Sequence, residues 1–241
     1  MKAAERWHSA RVQQPVTLVR WGALGTPVLV FPTAGGDADE IERCGLIEAL
    51  GGLLAAGRVK VYSVDSIAGR AWMGPVDPFH ASWIQERFGE MVAEEVVPAI
   101  RSDCRDPEIE IVTAGASIGA FNAVATLCRY PDAFRVAIGM SGTYDLSPKL
   151  GGHWPEHFQW SSPLHHLAAV QEGPFLDRLR TRFVVLATGR GAWEDPGQSW
   201  AMAHVLGQRG IPNRVDLWSE SHDHEWATWR EMLPLYLDDL A

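Results

Sequence analysis

The chain has 241 residues, 46% hydrophobic and 21% charged, which bounds it to one large α/β domain or two small ones. A formal charge of −9 without any Lys/Arg cluster excludes a nucleic-acid or anionic-membrane surface as its working partner. Cys44, Cys104 and Cys128 lack C-x-x-C spacing, so no disulfide framework or thiolate metal site is expected, and a reducing cytoplasm is the simplest compartment.

The first 20 residues are polar, without the apolar stretch of a secretion signal, and nowhere do 18 apolar residues run together; neither export nor a membrane span is expected. Alternation over 16–20 and an apolar run over 27–31, separated by a turn at 22–26, predict two early strands paired antiparallel. Apolar residues at Ile41, Leu46, Leu50, Leu53 and Leu54 predict one helix over about 39–56, with acidic residues in its first turn and Asp37 as its cap. A strand at 59–64 follows. A loop containing Gly69, Gly74, Pro75 and Pro78 then leads to a helix over about 81–101. A strand at 109–114 and a helix at 120–129 flank the next turn, and further strands are predicted at 135–140, 182–187 and 214–218, with helices near 198–209 and 225–240. Strands alternating with helices specify a largely parallel sheet with helices on both faces, within one α/β domain spanning 1–241. Residues 143–180, rich in Gly, Pro, His and Trp, break the alternation and are expected to form a small partial cap over the carboxyl edge of the sheet.

The turn between the strand at 109–114 and the helix at 120–129 reads Gly115-Ala116-Ser117-Ile118-Gly119, a G-x-S-x-G in the setting of a nucleophile elbow. There the serine adopts a strained conformation that lifts its hydroxyl clear of the sheet, and residues without bulk on either side let strand and helix approach. A serine hydroxyl is a weak nucleophile at neutral pH, so it needs a base, and the base needs an acid to orient it, in the chain order Ser, acid, His. The strand at 182–187 runs into a glycine-rich loop carrying Glu194 and Asp195, and the strand at 214–218 runs into a loop carrying His222 and His224. The alternatives are that the carboxylates cap the helix near Gln198 and that the imidazoles are merely solvated. For the developing oxyanion, Ile118 offers one backbone N–H and the small-residue loop after Phe31 offers another at Ala34, unless Gly35-Gly36 serve only a tight turn. The pairs His165-His166 and His153/His157 lack further ligands for a four-coordinate site, so no metal and no cofactor is expected. Seven of the eleven tryptophans follow position 150, as core or lid packing or as apolar walls for an acyl group.

The segments FPTAGGDADE at 31–40, GASIGAFNA at 115–123, RGAWEDP at 190–196 and SHDHEWATW at 221–229 together resemble the "Putative esterase" branch of the α/β-hydrolase superfamily, the group of esterase D, feruloyl esterases and antigen 85 proteins. The resemblance spans nearly the whole chain and implies an α/β-hydrolase fold. The histidine of that group precedes an acidic-aromatic pair, which favours His224, followed by Glu225-Trp226, over His222; Glu194 is preferred as the acid, with Asp195 the close alternative. The implied activity is a carboxylesterase-type serine hydrolase acting through an acyl-enzyme on a small or medium ester. An acyltransferase on the same triad and a non-catalytic binding module are the rivals. The loop at 32–34 reads Pro-Thr-Ala where many hydrolases carry His-Gly.

Overall fold

A computed structural model describes residues 1–241. The chain opens on a hairpin of β1 (Lys2–Ser9) and β2 (Gln14–Trp21), turned by Gln13 at φ 53°. β1 is an edge strand whose side chains are mostly exposed, so it carries no hydrophobic alternation and is missed by a sequence pattern. It is held by the ladder to β2, while Trp7 and Ser9 donate to the Glu95 carboxylate. β3 (Thr26–Phe31) follows, but it does not pair with β2: β4 (Val59–Val64) lies between them, antiparallel to β2 and parallel to β3. The expected antiparallel pairing of the two early strands is therefore corrected. The fully buried β4 needs a neighbour on each edge, and it takes the place beside β2.

The single helix expected over 39–56 is three short ones, α1 (Glu40–Arg43), α2 (Leu46–Ala49) and α3 (Gly51–Ala55). Gly45 at φ 78° breaks it, a left-handed conformation that glycine adopts without the steric cost of a Cβ. After β4 come α4 (Ile67–Ala71), inside the segment expected to be loop, and α5 (Pro78–Met91), capped by Asp77. A π turn at Val92–Val96 joins α5 to α6 (Val97–Cys104). Pro98 explains it: without an N–H it cannot take up the carbonyl four residues back, and the helix widens there.

β5 (Ile111–Ala116), α7 (Ile118–Arg129) and β6 (Phe134–Met140) come next. Residues 143–180 contain a 3₁₀ turn at Ser147–Leu150 and three short helices, α8 (Glu156–Ser161), α9 (Pro163–Ala169) and α10 (Pro174–Leu179). α8 packs on α5, and α9 on α7 and α11 (Pro196–Gln208), which follows β7 (Phe183–Thr188). β8 (Asn213–Leu217) and α12 (Trp226–Leu240) end the chain.

One eight-stranded sheet results, in the order β1-β2-β4-β3-β5-β6-β7-β8, parallel from β4 to β8. The strand period of two divides each central strand between two cores. Leu29, Phe31, Ala137, Val184 and Leu186 face the layer of α5–α7 and α9–α11. Val28, Val30, Ile138, Val185 and Ala187 face the layer of α2 and α12. Burial on both faces is why these strands read as unbroken apolar runs. It also brings the carboxyl ends of β3, β5, β6, β7 and β8 to one edge, where the loops carrying the candidate residues emerge. No helix is long and apolar enough to cross a membrane, and all three cysteines are unpaired.

Candidate active site

Ser117 is the N-cap of α7 and has φ 57°, ψ −123°, a conformation an L-residue adopts at a cost of about 1–3 kcal/mol when its surroundings impose it. Those surroundings are visible. The Ser117 N–H donates to Met140 O (3.0 Å), and its carbonyl accepts from Ala120 N (3.1 Å) and Thr143 N (3.3 Å). A Cβ on Gly119 would strike the carbonyl oxygen of Phe31, and one on Gly115 would strike that of Gly119. Strand β3, strand β5 and helix α7 thus meet at backbone contact, and the serine is forced out at the junction, half-buried.

The loop after β3 lies beside that junction. Its shape is set by Glu40, whose carboxylate accepts from Thr33 N and Thr33 Oγ1, both at 2.7 Å. Gly69 of α4 packs against Ala34, close enough that a side chain would press on the Ala34 backbone. Ala34 N makes no hydrogen bond within the protein, and Ile118 N, first in α7, has no acceptor inside its helix.

Glu194 and Asp195 are neighbours with different surroundings. The Glu194 side chain is 1% exposed, with Oε1 4.0 Å from His224 Nδ1. Ser141 Oγ donates to Oε1, and Thr188 Oγ1 donates to Oε2 at 3.0 Å. The two hydroxyls satisfy carboxylate oxygens that burial has removed from water. Asp195 is exposed and caps α11, accepting from Gly197 N at 3.0 Å.

The two imidazoles also diverge. His224, its side chain 29% exposed, turns toward Glu194 and presents its ring edge-on to Trp229, centroids 5.2 Å apart. His222 points to the other side of its loop, with Nδ1 2.7 Å from Ser219 Oγ, Nε2 3.2 Å from Glu231 and its ring against Trp218.

Four residues that sequence reasoning did not single out organise this arrangement. Trp229 Nε1 donates to Ser141 Oγ (2.9 Å), so the indole that packs against His224 also steers the hydroxyl that holds Glu194. Asp223 Oδ1 accepts from Trp193 N (2.8 Å) and His224 N (2.9 Å), stitching the acid loop to the histidine loop. Thr188 is the fourth. The available signal was position: Ser141 and Thr188 stand at the carboxyl ends of two core strands, the edge where Ser117 emerges. The two loops cross so closely that a Cβ on Gly189 would overlap the His222 carbonyl, a contact only glycine permits.

Residues 69–240 match the family model described as "Putative esterase". No curated protein sequence matches the chain. Among solved structures, a ferulic acid esterase superposes with a TM-score of 0.72 at 15% identity, over 98% of this chain and 96% of that one. MPT51 of Mycobacterium tuberculosis does so with a TM-score of 0.69 at 17% identity, over 99% and 98%. The enterobactin esterase of Shigella flexneri gives 0.71 at 17% identity, over all of this chain but 59% of its own length. These likenesses carry the fold, the family match carries the activity class, and the chain belongs to the "Putative esterase" family, a carboxylesterase-type serine hydrolase on the α/β-hydrolase fold.

Proposed function

We propose that the protein hydrolyses small or medium carboxylic esters through a Ser117–His224–Glu194 triad and an acyl-enzyme. The observation that carries this reading is the divergence of like residues: of two carboxylates and two imidazoles, one buried carboxylate and one imidazole face each other while their neighbours serve the scaffold. Ser117 Oγ attacks the acyl carbonyl while His224 Nε2 takes its proton. The oxyanion accepts hydrogen bonds from Ala34 N and Ile118 N, which the fold leaves without intrachain partners. The tetrahedral intermediate collapses, His224 returns the proton to the departing alkoxide, and the acyl group stays on Ser117. Water, deprotonated by His224, then attacks the acyl-enzyme and releases the carboxylic acid. Glu194 holds the imidazole in the tautomer with Nε2 free and stabilises its cation, and the 4.0 Å separation shortens once the ring is protonated. The start of the 143–180 segment acts as a partial cap, supported by the Thr143 contact with Ser117 and by the packing of Leu146, Leu150 and Phe158 with Ile118, while α9 and α10 cover the sheet face. The three unpaired cysteines support a reducing compartment.

A fluorophosphonate tests the reading directly. Intact-mass spectrometry is expected to show a single adduct, mapped to the peptide carrying Ser117; labelling elsewhere, or none on folded protein, sinks it.

Ser141 and Trp229 are positioning residues in this scheme. Ser141→Ala removes the hydroxyl shared by Glu194 and Trp229, and kcat is expected to fall about tenfold to a hundredfold, the cost of an unmet buried hydrogen bond to a charged group. KM should hardly move, and a raised KM at unchanged kcat would assign Ser141 to substrate binding instead.

A further inference from the structure

The two N–H groups offered to the oxyanion stand on different elements, Ala34 on the loop after β3 and Ile118 on α7, so their spacing depends on what joins those elements. Backbone contact ties the loop to α7 as far as Pro32, whose carbonyl oxygen a Cβ on Gly119 would strike. Beside Ala34 and Gly35 lie Gly69 and the Met73 side chain, at the end of α4. Trp72, the C-cap of α4, is buried and packs with Ile118 in one apolar cluster that Ala34 borders. A chain of buried side-chain hydrogen bonds crosses from there to α7: Trp72 Nε1 donates to Gln85 Oε1 of α5 (3.0 Å), and Gln85 Nε2 donates to Asn122 Oδ1 (2.8 Å). Asn122 lies four residues after Ile118, one turn along the same face of α7. The polarity of the chain is forced. An indole N–H only donates, so Gln85 must turn its oxygen to Trp72 and its NH₂ to Asn122, which must answer with its own oxygen. Asn122 Nδ2 is then left buried without a partner. That unmet N–H costs stability, which apolar side chains of similar volume would not. Apolar packing is non-directional and lets helices slide by fractions of an ångström, whereas two hydrogen bonds in series fix both distance and angle.

We infer that Gln85 and Asn122 are positioning residues for ester hydrolysis, holding α4, and through it Ala34 N, at a set distance from Ile118 N. The inference rests on the proposed assignment of those two N–H groups to the oxyanion. Donors must meet the oxygen at about 2.7–3.1 Å where charge develops, and their benefit falls steeply with misplacement. Both amide side chains are buried, so they act through the helices and not on the substrate.

The test uses two variants of the full chain. Asn122→Leu cuts the bond between α5 and α7 and trades one unmet amide N–H for another; Gln85→Met/Asn122→Leu removes both amides and leaves only the Trp72 N–H unmet. Thermal midpoints should therefore hardly change. Each variant is assayed for ester turnover and titrated with an alkyl trifluoromethyl ketone, to whose carbonyl carbon Ser117 Oγ adds while its proton passes to His224, leaving a hemiketal oxyanion facing Ala34 N and Ile118 N. The expected result is kcat lower by about tenfold with KM within about twofold, a smaller loss than the hundredfold or more from deleting an oxyanion donor. Ketone affinity should fall by the same factor. The hemiketal hydroxyl, followed by ¹⁹F NMR against pH, should ionise at higher pH than in the parent, because misplaced donors stabilise the oxyanion less. Variants whose kcat and ketone affinity match the parent overturn the inference. So does a lowered kcat with unmoved hemiketal ionisation, which would place the effect on the triad. A parent that forms no adduct at Ser117 overturns instead the reading on which the inference rests, so the two failures are distinct.

Discussion

Ser117→Ala is expected to lower ester turnover by about 10⁴-fold or more, the scale of losses when a nucleophile acting in concert with its base is removed. The thermal midpoint should hardly change. The side chain is half-buried and makes no hydrogen bond that holds the turn; the backbone bonds to Met140, Ala120 and Thr143 do that, and alanine keeps them. The strained φ of 57° is imposed by the contact of Gly119 with Phe31 and persists in the variant. A p-nitrophenyl ester series with differential scanning fluorimetry on the same preparation checks both halves. Residual turnover above about 1% of the parent would be incompatible with a Ser117 acyl-enzyme, since so small a loss is a barrier change of only about 3 kcal/mol.

The two histidines should separate by at least a thousandfold. His224→Ala removes the base and the partner of a buried carboxylate, so turnover should fall on the same scale as for Ser117→Ala, with some loss of stability from leaving Glu194 less well paired. His222→Ala should keep the rate within a few-fold. It loses a contact with Ser219, an exposed pair with Glu231 and an edge-on packing against Trp218, which together amount to about 1 kcal/mol of stability. Measuring kcat/KM and urea midpoints for the pair checks this, and the reverse ranking in rate would assign the base to His222.

The strands of the central sheet were legible because each is buried on both faces: β4 and β5 are buried at every position, and such runs stand out whatever packs on them. β1 was not, because an exposed edge strand places no constraint on its own side chains. The helix over 39–56 failed at Gly45, where an apolar periodicity continued through a residue that the chain uses to turn. The helix over 81–101 was found but its π turn was not, since the widening answers a missing N–H at Pro98 rather than any change in pattern.

What the sequence by itself determined was local: strand-turn-helix around Ser117, a parallel α/β sheet, and two polar loops at strand ends in the order an acid and a base require. Each follows from side-chain period or from glycine placement within a dozen residues. Tertiary structure decided the order of β2, β4 and β3 and the surroundings that separate Glu194 from Asp195 and His224 from His222. It also decided the clamp on Glu194, in which Ser141 reaches across 53 residues to the carboxylate and 88 to Trp229. Adjacent residues of one type carry the same local signal, and only contacts made across the fold give one of them a buried partner and leave the other to cap a helix or face water.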